Sequence, residues 1–172
     1  TGPLLAKFEP KQNPEWQVTV PGFIGQVTIA NQHFHQTAPM GIIHRYSAYE
    51  GDDVVVRGRP VTEGKAAILQ AGMGSILFNV FDLSSATAAT AIHSESLPVD
   101  QLTFTELQVT AAWDKDAIGF SFEHVVDGQY LIEGARVYRL EYVFGLIAGG
   151  SIKHAVEIAI SGLFTSSSQL SN

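Results

Sequence analysis

Residues 137–147, VYRLEYVFGLI, and residues 151–161, SIKHAVEIAIS, carry the pattern that decides the fold class of this chain. Every second residue of the first stretch is aromatic or aliphatic, and the second stretch repeats this pattern with one histidine among its apolar positions. A period of two is typical of a strand, because successive side chains of a strand point to opposite faces of a sheet. Two glycines separate the stretches, so they are predicted to form a long antiparallel hairpin.

Short apolar runs separated by turn-forming residues fill the rest of the chain, which predicts an all-β protein. Asp127-Gly128 is a strong hairpin turn signal, and it predicts that the strand at Ile118–Val126 pairs with the strand that follows. The cluster Glu50-Gly51-Asp52 predicts a second hairpin, formed by Gly41–Glu50 and Asp53–Val61. Further strands are predicted over Trp16–Val20, Phe23–Ala30, Lys65–Gln70, Ser75–Leu83 and Leu102–Trp113. Ser84–Ser96 is rich in Ser, Ala and Thr and is predicted to be a loop.

This pattern predicts an antiparallel β-barrel of the calycin or cyclase-barrel type, names that describe its architecture alone. Turn signals recur roughly every 8 to 15 residues, as in barrels and sandwiches made of sequential strands. A two-sheet β-sandwich is the alternative. Residues 1–15 are predicted to be an extended arm, residues 16–164 a single β domain, and residues 165–172 a flexible polar tail.

Composition excludes several classes of function. The chain has 10 Lys and Arg residues against 17 Asp and Glu residues, for a net charge of −7, so a phosphate backbone would be repelled and no nucleic-acid partner is expected. It contains no cysteine, which removes disulfides and thiolate chemistry. No apolar run reaches the roughly 18 residues of a membrane span, so none is predicted. A cytoplasmic location and secretion after removal of a signal peptide both fit the sequence.

The candidates for catalysis are His124, His154, Tyr138 and Tyr142. Each histidine lies on the apolar face of its predicted strand, where it is either a satisfied core residue or a polar group aimed at a ligand. Histidines and tyrosines in an apolar pocket suit proton transfer on a hydrophobic substrate. Aromatic side chains at core positions and near strand ends are the candidates for ligand binding: Phe120, Phe122, Phe144 and Trp113.

A second group of histidines predicts a metal site. His33 and His35 point to one face of a strand, and His44 lies across the turn expected near Pro39. Three converging imidazoles are one way to hold zinc or iron. The His-x-His pair resembles the first metal motif of cupins, but the carboxylate expected a few residues later is missing, so the chain is not assigned to that family.

These observations predict that a small apolar molecule binds in the barrel interior, with isomerase, cyclase or lyase chemistry as a further step. No organic cofactor is predicted. One alternative is a non-catalytic lectin-like or assembly module, such as a shell or coat subunit, which forms a homo-oligomer through the small-residue face of the last hairpin. The other alternative is a metal enzyme built on the His33, His35 and His44 cluster, with a divalent metal as its cofactor.

Overall fold

The structure is a computed structural model and describes residues 16–19 and 44–162, without the side chains of Trp16 and His44. Within these ranges β-strands dominate, which confirms the all-β prediction. The only α-helix there is a single turn, α1 (Val99–Leu102). The strands are β1 (Trp16–Thr19), β2 (His44–Tyr49), β3 (Val54–Gly58), β4 (Met73–Asp82), β5 (Ala91–Leu97), β6 (Thr103–Gln108), β7 (Phe120–Val126), β8 (Arg136–Leu146) and β9 (Ser151–Ser161).

The nine strands of the described residues form two sheets. One has four strands in the order β1-β3-β7-β6, and the other has five in the order β2-β9-β8-β4-β5. Apolar residues from both sheets belong to one buried core, so the sheets pack face to face. This arrangement fits the sandwich alternative, and no closed barrel forms among the described strands.

The hairpin of β8 and β9 lies inside the five-stranded sheet, between β2 and β4. Its register runs from the Arg136 and Ile160 pair to the Gly145 and Ser151 pair, and it places the apolar positions of both strands on the inner face. The opposite face carries the small and charged residues of the same strands. The period-two prediction for this segment is confirmed.

The hairpin predicted at Asp127-Gly128 is wrong. Strand β7 pairs with β3 and β6, whereas β8 belongs to the other sheet, so the chain crosses between sheets through a 3-10 turn at Gly128–Tyr130. Gly128 N–H donates to the Asp53 carboxylate at 2.9 Å. A Cβ at position 128 would collide with the backbone of Gly51, so the glycine permits a close approach of two chain segments rather than a hairpin turn.

The hairpin predicted across Glu50-Gly51-Asp52 is also wrong. A turn does form there, with Asp52 N–H donating to the Tyr49 carbonyl at 3.2 Å. However, β2 pairs in parallel with β9, and β3 pairs antiparallel with β1 and β7 in the other sheet. Turn-forming residues indicate a change of chain direction, but they do not indicate which strands then pair.

Two other segments differ from their predictions. The segment Ser84–Ser96 was expected to be a loop, but its second half belongs to β5, which pairs antiparallel with β4. Pairing with a long buried strand overrides weak local propensity. Lys65–Gln70 forms no strand and contributes only an isolated bridge between Val61 and Ala67. The predicted arm, the strand Phe23–Ala30 and the polar tail lie outside the described residues.

An ion-paired loop packs against the start of β7. The guanidinium of Arg59, 5% exposed, donates to both carboxylate oxygens of Asp116 at 3.1 and 2.6 Å and to the carbonyl of Gly119 at 2.5 Å. The indole N–H of Trp113 donates to the same carboxylate at 3.0 Å. This network holds residues 113–119 in place.

None of the helices in the part of the chain that the structure describes is long and apolar enough to span a bilayer.

Candidate functional site

A hydrogen bond between His124 and Tyr142 joins the two sheets inside the core. His124 lies on β7 and Tyr142 on β8, and the imidazole Nδ1 is 2.9 Å from the phenol oxygen. Phe78 of β4 packs edge-on against the imidazole, with ring centres 4.9 Å apart, and lies 5.0 Å from the Tyr142 ring. Tyr142 is fully buried and His124 is 9% exposed, so this polar pair is enclosed by apolar side chains.

Burial determines the protonation of both groups. Desolvation lowers the pKa of His124 from 6.5 to about 4, although the negative charge of Glu95 opposes this shift. Desolvation also raises the pKa of Tyr142 well above its ordinary value of 10.0. At neutral pH both side chains are therefore uncharged, and each is poorly matched to proton transfer. The pair is better suited to offering a hydrogen bond than to acid–base catalysis.

His154 is brought next to this pair, and Tyr138 is not. In the β8–β9 register the Cα of His154 is opposite that of Tyr142, and neighbouring strands lie about 4.8 Å apart. Tyr138 is on the same strand as Tyr142 but four residues away, or about 13 Å. The Cα partner of Tyr138 on β4 is Asp82, whereas the Cα partner of Tyr142 on β4 is Phe78. Three of the four residues predicted for catalysis therefore lie close together.

The four predicted ligand-binding aromatics divide into two groups. Phe122 packs against Tyr142 and Phe144, with ring centres 5.1 and 5.2 Å away, so Phe122 and Phe144 lie beside Tyr142. Phe120 and Trp113 contact each other at 5.5 Å and lie outside the main buried cluster. Trp113 faces the Asp116 loop, so these four side chains do not line one pocket.

The structure adds four residues to those selected from the sequence: Phe78, His93, Glu95 and Tyr130. His93 and Glu95 lie on inward-facing positions of β5, where their Cα partners on β4 are Val80 and Phe78. The imidazole of His93 stacks on the ring of Tyr130, with ring centres 4.2 Å apart. We define the edge site as Phe78, His93, Glu95 and Tyr130.

The edge site is partly open to solvent. The side chains of His93 and Glu95 are 26% and 39% exposed, whereas Phe78 beside them is fully buried. His93 Nε2 lies 3.1 Å from Glu95 Oε1, an ion-pair distance without hydrogen-bond geometry. His93 and Glu95 thus form a partly exposed polar rim beside the buried aromatic ring of Phe78, which is the floor of the site. The His124 and Tyr142 pair lies behind Phe78.

The sequence held a signal for this site. In Ala91–Leu97, His93, Glu95 and Leu97 alternate with Ile92, Ser94 and Ser96, which is the period of a strand. The signal is easily missed because the inward positions carry a histidine and a glutamate rather than apolar residues. Only the pairing with β4 identifies them as inward-facing.

The predicted metal site remains a prediction. His33 and His35 lie outside the described residues, and His44 is placed by its backbone alone, opposite Val156 at the start of β2. Elsewhere in the described ranges no group of three or more His, Asp or Glu side chains is arranged to hold a metal ion. Comparison of the chain with protein-family models, with curated proteins and with solved structures found no match.

Proposed function

We propose that the protein binds a small amphiphilic molecule at the edge site. The observation that carries this proposal is the placement of His93 and Glu95 on inward-facing positions of β5, directly beside the fully buried Phe78 and Val80. Inward positions of a sandwich strand are normally apolar. A polar rim beside an aromatic floor matches a ligand with one apolar part and one polar part.

The surroundings of the edge site support the same proposal. Tyr130 covers His93 from the turn that crosses between the sheets, so an aromatic ring bounds the site on a second side. Behind Phe78, the His124 and Tyr142 pair is uncharged and its two polar atoms are bonded to each other, so the apolar side of the site contains no buried charge.

Binding is favoured over the isomerase, cyclase or lyase chemistry predicted from the sequence. A general acid or base works best when its pKa lies near the working pH. Burial moves the pKa of His124 down to about 4 and that of Tyr142 far up, so neither matches that requirement. In this proposal the edge site replaces the barrel interior of the sequence prediction.

The assembly alternative is less well supported. The outer face of β8 and β9 does carry small residues such as Ala155 and Ala159, but charged pairs run through it. Glu157 contacts Arg45 at 2.8 Å and Arg139 at 3.1 Å, which is typical of a solvated sheet face. Homo-oligomerisation through this face remains a prediction.

Ligand-observed NMR on the full chain tests the proposal with phenyl-bearing fragments that carry neutral, cationic or anionic polar groups. We expect at least one fragment to bind, and His93→Ala and Tyr130→Ala each to weaken it by about fivefold or more, or about 1 kcal/mol. Ser96→Ala is the matched control, since it changes an outward-facing residue of the same strand. Equal binding by all three variants and the wild type, or no binding of any fragment, would contradict the proposal.

A further inference from the structure

We infer that the molecule bound at the edge site carries a positive charge, as an ammonium group on an apolar body. This inference rests on the proposed function and names the class of its ligand. It is argued from the partners of the carboxylates in the five-stranded sheet, from the aromatic rings beside Glu95 and from the field of Glu95 at its neighbours.

Glu95 differs from the other strand carboxylates of its sheet. Those others each have an arginine or lysine partner within the same sheet: Asp82 with Arg136, Glu141 with Lys153, and Glu157 with Arg45 and Arg139. Glu95 has no arginine or lysine partner among residues 16–19 and 44–162, and its nearest basic group is the imidazole of His93. A half-buried carboxylate without a strong counter-charge is a site for a cation.

Aromatic rings lie beside this carboxylate. The His93 ring stacks on Tyr130 at 4.2 Å and approaches Phe78 at 6.3 Å, and Phe78 is the Cα partner of Glu95. An ammonium group next to aromatic rings is attracted by their electron-rich faces, by about 0.5–2 kcal/mol. A carboxylate together with aromatic rings therefore favours an organic cation over a neutral or anionic molecule.

The negative charge of Glu95 also affects the pKa values of two neighbouring groups, Tyr130 and His124. The pKa of Tyr130 is raised by burial and then by the charges of Glu95 and Asp127. At His124, Glu95 opposes the lowering of the pKa that burial causes. Both effects come from the charge of Glu95, which would attract a cation and repel an anion.

Three probes of similar shape test the charge of the ligand: benzyltrimethylammonium, benzyl alcohol and phenylacetate. NMR titration of the full chain at neutral pH and low salt gives a Kd for each. We expect the cation to bind about tenfold more tightly than the alcohol, and phenylacetate to bind most weakly. Glu95→Gln should remove most of the tenfold preference and leave only the part that the aromatic rings supply, while Glu95→Asp and the control Ser96→Ala should keep most of it.

The outcomes separate this inference from the proposed function. If benzyl alcohol binds as tightly as the cation, and His93→Ala weakens both, the edge site stands and the inference is overturned. An undiminished preference for the cation in a folded Glu95→Gln variant also overturns the inference, since the carboxylate would then not recognise the charge. If none of the probes binds below about 10 mM, the inference fails with them, and the wider fragment panel decides the proposed function.

Discussion

The phenol oxygen of Tyr142 lies 2.9 Å from Nδ1 of His124, so a polar contact joins the two sheets within their apolar interface. Each group satisfies the other where water is excluded, since Tyr142 is fully buried and His124 nearly so. The contact links the two sheets behind the edge site.

Stability should decrease as the pH falls from 6.5 toward 4. The pKa of His124 is lowered by burial from 6.5 to about 4, so in this range the unfolded chain binds a proton that the folded chain does not. Folding is therefore disfavoured at acidic pH, by about 3 kcal/mol over the full range. Below about pH 4 both states are protonated and this contribution stops changing.

Urea unfolding at several pH values between 7 and 4 measures this effect against the variant His124→Gln. The variant has no titrating group at position 124, so its stability should fall less steeply by about the same 3 kcal/mol. The groups facing the imidazole, Tyr142 and Glu95, are unchanged in both proteins. Parallel pH profiles for the two proteins would show that His124 is not held neutral by the fold.

The variant Tyr142→Phe should destabilise the protein by about 1–3 kcal/mol, because it removes a partner of a buried imidazole. The variant His124→Leu removes the other partner. Since the two groups are in contact, the double variant should lose less than the sum of the single losses, by about 1 kcal/mol. Denaturant unfolding of the wild type and three variants gives this coupling energy, and a value near zero would contradict the contact.

The variant Asp116→Asn should lower the free energy of unfolding by about 3 kcal/mol, because it leaves the buried guanidinium of Arg59 without its carboxylate. Burial alone would raise the pKa of Asp116, but hydrogen bonds from Arg59, Trp113 and two backbone N–H groups hold it well below 3.8. The carboxylate therefore stabilises the fold above pH 3.8, and the advantage over the variant should shrink as the pH falls below it. Glu106→Gln, an exposed position of β6, is the control and should change stability by less than about 0.5 kcal/mol.

The variant Gly128→Ala should disrupt the crossing between the sheets. The new Cβ would meet the backbone of Gly51, which cannot yield as a flexible side chain can. We expect a loss of several kcal/mol, at the upper end of single substitutions. At Gly64 a Cβ meets only the hydroxyl of Thr62 at 3.7 Å, so Gly64→Ala should be nearly neutral in thermal unfolding. Equal melting temperatures for the two variants would contradict the close approach.

Local pattern was enough to predict the strands that are long and face a core. In β8 and β9 the alternation of residues matches the inner and outer faces of the structure over the whole paired length. In β5 the inner face carries His93 and Glu95, and the Ser, Ala and Thr content of Ser84–Ser96 predicts a loop there. Residues 91–97 form strand β5 because they pair with β4, and a local sequence pattern does not show that pairing.

The candidate site was predicted in part for the same reason. The apolar faces of the predicted strands carry His124, His154 and Tyr142, and the structure brings these three together. Tyr138 shares the face and the strand with Tyr142, and parity alone cannot tell which of the two lies opposite β7. That choice depends on how the sheets are stacked.

The sequence by itself determined the all-β class, the last hairpin and the inward direction of its side chains, because these depend on a period of two along one strand. Only the tertiary structure decided that the turns at Gly51 and Gly128 carry the chain between sheets, and that β2 pairs in parallel with β9. Tertiary structure also placed His93 and Glu95 beside Phe78. Strand pairing and sheet stacking are set by packing between residues far apart in the chain, and no local pattern records that packing.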